Sequence, residues 1–481
     1  MAEQTKTRLP YVFDLNLGSS MANIALPVIA SLLLCSTLWV LPQPLILLFI
    51  PLLIPATLAV FRFPVWVCLG FILFSFFRLH EAIPVLNPLK IPQLLALASF
   101  TVLGWHIFIS NQIKIYWSRQ LSLFAIFFIM VCVGAVFATD RAAAFANIKD
   151  TYIKIAIMVC AIAWLIRRPA DFSLASALII LAGIIIGCIA ISNKLNGIGL
   201  VEGTRVTIGR DIGSMIGDPN DLALVLTFPL SFAASMLFTS KNSVAKRLLA
   251  TLAYATIAWA IICTQSRGGL LGLTAVTGVL MWCSIKNKAI VIGIGSLIFV
   301  ILIAVAGISN RASGGANEDG IDESAMGRIY AWQAAISMAT HHPITGVGIN
   351  NFYANYFFHS PHWDGKNHAV HSTWFQILAE TGFVGLSLFI SLLVGAFKLA
   401  LRSLRRIDLA THLDSSLKVM ARALLSGLVG FCVSGTFLTQ GFIWPLYILM
   451  ALTIALDHYL NSLNLSHDGQ AIKDSGMNPA T

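Results

Sequence analysis

Apolar residues fill this chain in long runs, and polar residues gather between them. A helix needs about 20 mostly apolar residues to cross the hydrocarbon of a bilayer. Uncharged or nearly uncharged runs occur at 24–41, 44–61, 64–77, 91–109, 121–138, 152–166, 173–191, 215–238, 248–264, 270–285, 289–306, 374–397, 419–436 and 441–460. Several early runs are short and interrupted by proline (Pro27, Pro42, Pro44, Pro51, Pro55, Pro64), so the pattern predicts about 12 to 14 spans rather than one count. Met1 to Gly18 is polar and has no small-residue cleavage site behind an apolar core. It is expected to be a cytoplasmic tail, not a signal peptide. The fold class predicted is an all-α polytopic membrane protein.

Composition sharpens this. Lys and Arg number 31 and Asp and Glu 21, so charged residues make up 11% of the 481, against roughly 25% in an ordinary soluble domain. Apolar residues reach 57%. So few charges could not clothe several soluble domains, and the apolar content excludes disorder. All eight cysteines lie inside apolar runs, which excludes a secreted disulfide scaffold. The net charge of +10 resolves into clusters at Lys114 and Arg119, Arg167–Arg168, Lys241 with Lys246–Arg247, Lys286 and Lys288, and Lys398 to Arg422. These alternate with loops poorer in basic residues, as expected if both termini are cytoplasmic. The basic excess therefore reflects topology and implies no nucleic-acid partner.

The expected division is N-terminal spans over 1–192, central spans with arginine-bearing exported loops over 193–307, a large exported loop over 308–373, C-terminal spans over 374–460 and a cytoplasmic tail over 461–481. The exported loops that matter are Asn193–Gly213, the tight turn Gln265–Gly269, and Ile308–Thr373, which is far longer than an ordinary helix connection. Long loops on a rigid scaffold carry function disproportionately often. This one opens with a glycine-rich acidic stretch, Ser313 to Glu323, expected to be mobile. Ile329, Trp332, Ile336 and Ala339 then fall at helical spacing and predict an amphipathic helix lying against the membrane.

Six of the eleven histidines lie in this loop: His341, His342, His359, His362, His368 and His371. Histidine suits proton transfer near neutral pH, and His371 stands where the loop re-enters the membrane. An interfacial histidine with a structural hydrogen bond reads the same way. Arg267, in Cys263-Thr-Gln-Ser-Arg-Gly-Gly-Leu-Leu-Gly272, interrupts two apolar runs. Arginine at membrane depth is costly unless it faces protein, water or an anion, although helix-end arginines also snorkel. Gly268–Gly269 would let backbone N–H groups approach such an anion. With Arg205, Arg210 and Arg328 the exported face offers four arginines that could converge, and their planar forks suit phosphate oxygens.

Gly217-Asp-Pro-Asn-Asp221 reads first as a helix start, with Asp218 as cap and Pro219 at the first helical position; Asn220 and Asp221 are then placed on the floor of a site. His359-x-x-His362 and His368-x-x-His371 have loose spacing, no cysteine partner and no paired carboxylate, so no metal site is expected. Tyr353, Tyr356, Trp363 and Trp374 suit sugar stacking, and interface belts use the same residues.

These motifs in this order resemble the O-antigen ligase superfamily: the arginine loop before Gly217-Asp-Pro-Asn-Asp221, Gln265-Ser-Arg-Gly-Gly-Leu-Leu-Gly272, Gly327-Arg-Ile-Tyr-Ala-Trp332, His342-Pro-Ile-Thr-Gly-Val-Gly348, His371-Ser-Thr-Trp374, and Glu380-Thr-Gly-Phe-Val-Gly385. The resemblance spans roughly Arg205 to Leu386. Many family members carry asparagine after the histidine, where this chain has Ser372. The family comprises lipopolysaccharide O-antigen ligases, some O-antigen polymerases and protein O-oligosaccharyltransferases. It implies a GT-C-like glycosyltransferase of the bacterial inner membrane. The donor would be a glycan on undecaprenyl pyrophosphate and the acceptor lipid A–core oligosaccharide, joined at the periplasmic face without cofactor or metal and with inversion. His371 would be the base, Arg267 and Arg205 or Arg210 would bind pyrophosphate, and Arg328 would assist; Asn220, Asp221, Tyr353 and Trp374 are the further substrate-binding candidates. A lipid-linked-glycan transporter is the reading from another class; ion-coupled transport predicts ionisable residues near mid-span, and these are nearly absent.

Overall fold

The computed structural model describes residues 57–239, 243–305, 323–363, 365–410 and 413–474. The expected first span at 24–41, most of the second, the N-terminal tail, Cys35 and most of the acidic stretch 313–323 lie outside the described residues. The described chain is helical and contains no strand. Its longer helices are α1 (Pro64–Ser75), α2 (Ile91–Gly104), α3 (Arg119–Val136), α4 (Ile153–Leu165), α5 (Pro169–Asn196), α6 (Pro219–Phe238), α7 (Val244–Cys263), α8 (Arg267–Ser284), α9 (Lys288–Val305), α10 (Glu323–His341), α11 (Phe352–His359), α12 (Thr373–Leu409), α13 (Ser415–Gly435) and α14 (Trp444–Asp474).

Among the described residues, eight helical stretches are long and apolar enough to cross a membrane: Ile91–Ile109, Arg119–Val136, Pro169–Asn196, Pro219–Phe238, Val244–Cys263, Thr373–Leu409, Ser415–Gly435 and Trp444–Leu463. The protein is an all-α polytopic membrane protein. The remaining expected spans correspond to the shorter or less apolar helices α1, α4, α8 and α9. Of these, α4 continues Arg141–Asn147 through a wider turn at Ile148–Tyr152, an unbroken helical run of roughly 25 residues, ample for a span.

The chain forms two compact units. In the smaller, residues 57–71 and 92–115, His106 bonds through Nε2 to the Phe61 carbonyl at 2.8 Å and through Nδ1 to Ser110 Oγ at 2.9 Å. The larger holds residues 72–91 and 116–474. At its centre α6 packs against α5, α7, α8 and α13, and it is buried almost continuously from Leu222 to Ser235. The approach of α8 to α13 is possible because position 272 is glycine: a Cβ there would lie 2.1 Å from Ser434 Oγ.

The long loop is built onto α12 rather than suspended above it. At Gly382 the chain of α12 leaves helical geometry, with φ 67°, a conformation that glycine adopts without penalty. Phe383 N–H donates to the Pro343 carbonyl (2.9 Å), and the Ala379 carbonyl accepts from Val347 N–H instead (2.9 Å). The segment Pro343–Val347 is thus spliced into the hydrogen-bond ladder of α12. Glu380, the residue after Ala379, accepts the N–H of Phe352 at 3.2 Å and so anchors the start of α11.

The helix α10 differs from expectation. Its buried residues are Ala331, Ala334, Ala335, Met338 and Ala339, the first four in one cluster with Val347, Phe352, Tyr356, Val370 and Ala379, against which Trp332 also packs. Ile336, assigned to the apolar face, is 46% exposed. Alanines score low in an apolar stripe, yet their small size lets the helix lie closely on α12. The helix therefore packs on protein through a face that includes Trp332 and Ala339 of the expected stripe, with Ala331, Ala334, Ala335 and Met338 in place of Ile336.

Candidate active site

Three helices of the larger unit begin close together, and each start places a candidate residue. Asp218 caps α6 as expected: its Oδ1 accepts from the N–H groups of Asn220 (2.7 Å) and Asp221 (3.3 Å). Ser266 caps α8 by accepting Gly269 N–H at 3.2 Å. Ser372 occupies the cap position of α12. Asn220 joins the first two starts, because its Oδ1 accepts both from Ser266 Oγ (2.8 Å) and from Arg205 Nη2 (3.0 Å). Arg205 donates only, which fixes the orientation of the amide. Its Nε also reaches the Thr264 carbonyl at 3.3 Å, and Glu202 stands 3.8 Å from its guanidinium. Only 8% of Arg205 is exposed. Burial lowers its pKa, as does the charge of Arg267, while Glu202 and Asp218 oppose that shift.

Between these starts lies a cleft enclosing about 330 Å³, open solvent included, lined by Asn220, Ser266, Arg267, Gly268, Arg328, Phe437 and Leu438. Arg267 is the first residue of α8 and is exposed. A cation at a helix N-terminus opposes the helix dipole, so the arrangement favours an anion that meets both positive charges. The neighbouring glycines act differently from expectation. Gly268 lines the cleft, but the Gly269 N–H is used by the Ser266 cap, and a Cβ at 269 would lie 2.4 Å from Ala223 Cβ. Gly269 permits packing of α8 on α6, not backbone contact with a ligand.

His371 stands two residues before α12 with φ 44°, a left-handed conformation uncommon for a residue with a side chain. Two loop elements hold it there. Trp332 Nε1–H donates to the Val370 carbonyl at 3.1 Å and its ring stacks on Phe375, centroids 5.1 Å apart. On the other side Thr373 Oγ1 donates to the Leu438 carbonyl at 2.8 Å. Arg328 lies one helical turn before Trp332 on the same face of α10, which brings its charge to His371. The His371 ring is half-buried. Its pKa is lowered by burial first, then by Arg328, with His368 adding to the effect and Asp218 opposing it. A lowered pKa keeps the imidazole neutral at pH 7, the form that accepts a proton.

Comparison with known families meets this geometry directly: residues 252–390 match the family described as O-antigen ligase. This stretch is similar to O-antigen ligases. No curated protein matches the chain. The matched stretch supplies Arg267 and Arg328 to the cleft lining and also holds His371, which lies close enough to Arg328 to feel its charge. Arg205, Asn220 and Asp221 come from the chain before the matched stretch, and Phe437 and Leu438 from the chain after it.

The remaining candidates are distributed as follows. Asp221 sits behind the cleft lining, bonded at 2.6 Å to Gln440 Nε2. Arg210 is exposed on the adjoining turn, whose Cα rests against Gly217, and does not line the cleft. Trp374 donates from Nε1 to Thr436 Oγ1 at 3.0 Å, an anchor between α12 and the turn after α13. Tyr353 points outward on α11 and is 59% exposed, whereas Tyr356, one turn on, is buried. The loop histidines pair with separate partners: His359 with Ser337, His362 stacked on Tyr330, His368 edge-on to Tyr356. Among the described residues no group of three or more His, Cys, Asp and Glu could hold a metal ion. Sequence reasoning passed over Ser266, Trp332 and Gln440 as functional residues. The first two lie inside quoted motifs as ordinary cap and aromatic residues, and Gln440 carries no local signal at all.

Proposed function

We propose that this protein is an O-antigen ligase that moves a glycan from undecaprenyl pyrophosphate onto lipid A–core oligosaccharide at the periplasmic face of the inner membrane. The observation that carries the proposal is the meeting of Arg205, Arg267 and Arg328 at the starts of two capped helices, with a neutral histidine beside them. Pyrophosphate is the anion that such a cleft suits, because planar guanidinium groups pair with its oxygens bidentately.

The acceptor hydroxyl oxygen attacks the anomeric carbon while the bond from that carbon to the pyrophosphate oxygen breaks. His371 takes the hydroxyl proton. The arginines offset the charge that grows on the departing pyrophosphate, in a site whose polar groups are already oriented. Asp218 lies close enough to influence both His371 and Arg205, so it stabilises the imidazolium formed by proton transfer. Direct attack inverts the anomeric centre. No resident metal is needed in this scheme, and chelator should leave the rate unchanged.

The test is transfer by purified protein in liposomes, with carrier-linked donor and lipid A–core acceptor. His371→Ala and Arg267→Ala should each lose about a hundredfold or more. Wild-type rates from the His371 variant would sink the assignment. A deletion strain identifies the acceptor: lost long-chain lipopolysaccharide with accumulating carrier-linked polymer supports the ligase. Single-repeat lipopolysaccharide would instead indicate a polymerase, and lost glycoprotein bands a protein transferase.

A further inference from the structure

The turn between α13 and α14 lies outside the matched stretch and carries no motif, yet Phe437 and Leu438 close one side of the cleft. Its attachment to α12 is extensive. Thr373 Oγ1 donates to the Leu438 carbonyl and accepts from Gln440 N–H at 3.2 Å, and Gly441 N–H donates to Gln376 Oε1 at 2.9 Å. One side chain then crosses to α6: Gln440 Nε2–H donates to Asp221 Oδ1 at 2.6 Å. Gln440 is only 2% exposed. It therefore joins the helix that follows His371 to the helix that follows Asp218.

Two features argue against a purely structural strap. The other end of the Gln440 amide, Oε1, is buried with no hydrogen-bond partner among the described residues, as are Ser372 Oγ and Thr439 Oγ1. A glutamine kept only to stitch helices together normally has both ends paired. The turn Thr436-Phe-Leu-Thr-Gln-Gly441 also carries no charge, whereas the arginines stand on α8, α10 and the loop before α6. Pyrophosphate needs the cationic side. A sugar, which carries no charge, suits the uncharged side, where Phe437 and Leu438 line the cleft and the buried Gln440 holds the turn in place.

We propose that the 436–441 turn is the acceptor-side wall of the cleft and that Gln440 is a positioning residue for the acceptor sugar, acting through Asp221 and the His371 turn. The inference rests on the transferase reading given above. The experiment measures initial rates in the liposome assay while donor and lipid A–core acceptor are varied separately. Gln440→Ala should raise the acceptor KM about tenfold and leave the donor KM within about twofold. The double variant Asp221→Asn, Gln440→Glu restores the bond with donor and acceptor exchanged, and should recover most of that loss. Donor and acceptor KM rising together, or a double variant no better than Gln440→Ala, would reduce Gln440 to a structural tie and overturn the inference. Wild-type protein that transfers nothing would overturn the transferase reading and this inference with it. An active wild type with an unchanged Gln440→Ala overturns the inference alone.

Discussion

His371 combines strained backbone, partial burial and two opposing charges. A left-handed conformation costs a residue with a side chain roughly 1–2 kcal/mol, and here Trp332 on one side and Thr373 on the other hold it in place. Burial and Arg328 lower its pKa and Asp218 opposes them, so activity should rise with pH through a limb below 6.5 and be flat at neutral pH. Asp218→Asn separates charge from capping, since asparagine caps a helix as well as aspartate. That variant should keep its thermal stability and move the limb to still lower pH in a pH–rate profile. A limb moving upward would contradict the placement of Asp218 near His371. The residue chemistry was legible where a motif carried it. The Asp218 cap was readable from its neighbours in sequence, and Arg267, Arg328 and His371 were singled out there as candidates. Gln440 was not, because its partner Asp221 is brought to it only by the packing of α13 against α6.

Among the elements, the splice of Pro343–Val347 into α12 explains why two glycine-bearing motifs far apart in sequence accompany one another. The Gly382 break frees the Ala379 carbonyl, and Val347 N–H takes its place. A side chain at 382 would need a left-handed backbone and would bring Cβ within 2.5 Å of the Pro343 carbonyl oxygen. Gly382→Ala is therefore expected to destabilise the protein by about 1–3 kcal/mol, read as a lower melting temperature in detergent, with faster hydrogen exchange at residues 343–347. Unchanged exchange there would mean that the splice is not what holds the loop. Helix existence was readable from hydropathy and helix starts from capping residues. The buried face of α10 was readable only in Trp332 and Ala339, because its other alanines pack closely without forming an apolar stripe.

For the whole molecule, the positive-inside pattern predicts that the cleft faces away from the cytoplasm. This can be checked with a membrane-impermeant maleimide on cells with a permeabilised outer membrane, using single cysteines at exposed positions in a background without native cysteines. Glu202→Cys should label and Arg405→Cys should not; the reverse result would invert the topology. Apolar runs, charge alternation and cap residues together determined that the chain crosses a membrane many times as helices, because each of those signals acts over one or two helical turns. The site's composition came from both ends of the range. Arg267, Arg328 and His371 belong to one matched stretch, yet Arg205 and Asn220 arrive from before it and the 436–441 turn from after it. Which arginines line the cleft, why Arg210 and Tyr353 stand apart from it, and what holds Asp221 were decided only by tertiary structure. Those relations depend on how α6, α8, α12 and α13 pack side by side, and no spacing along the sequence encodes that.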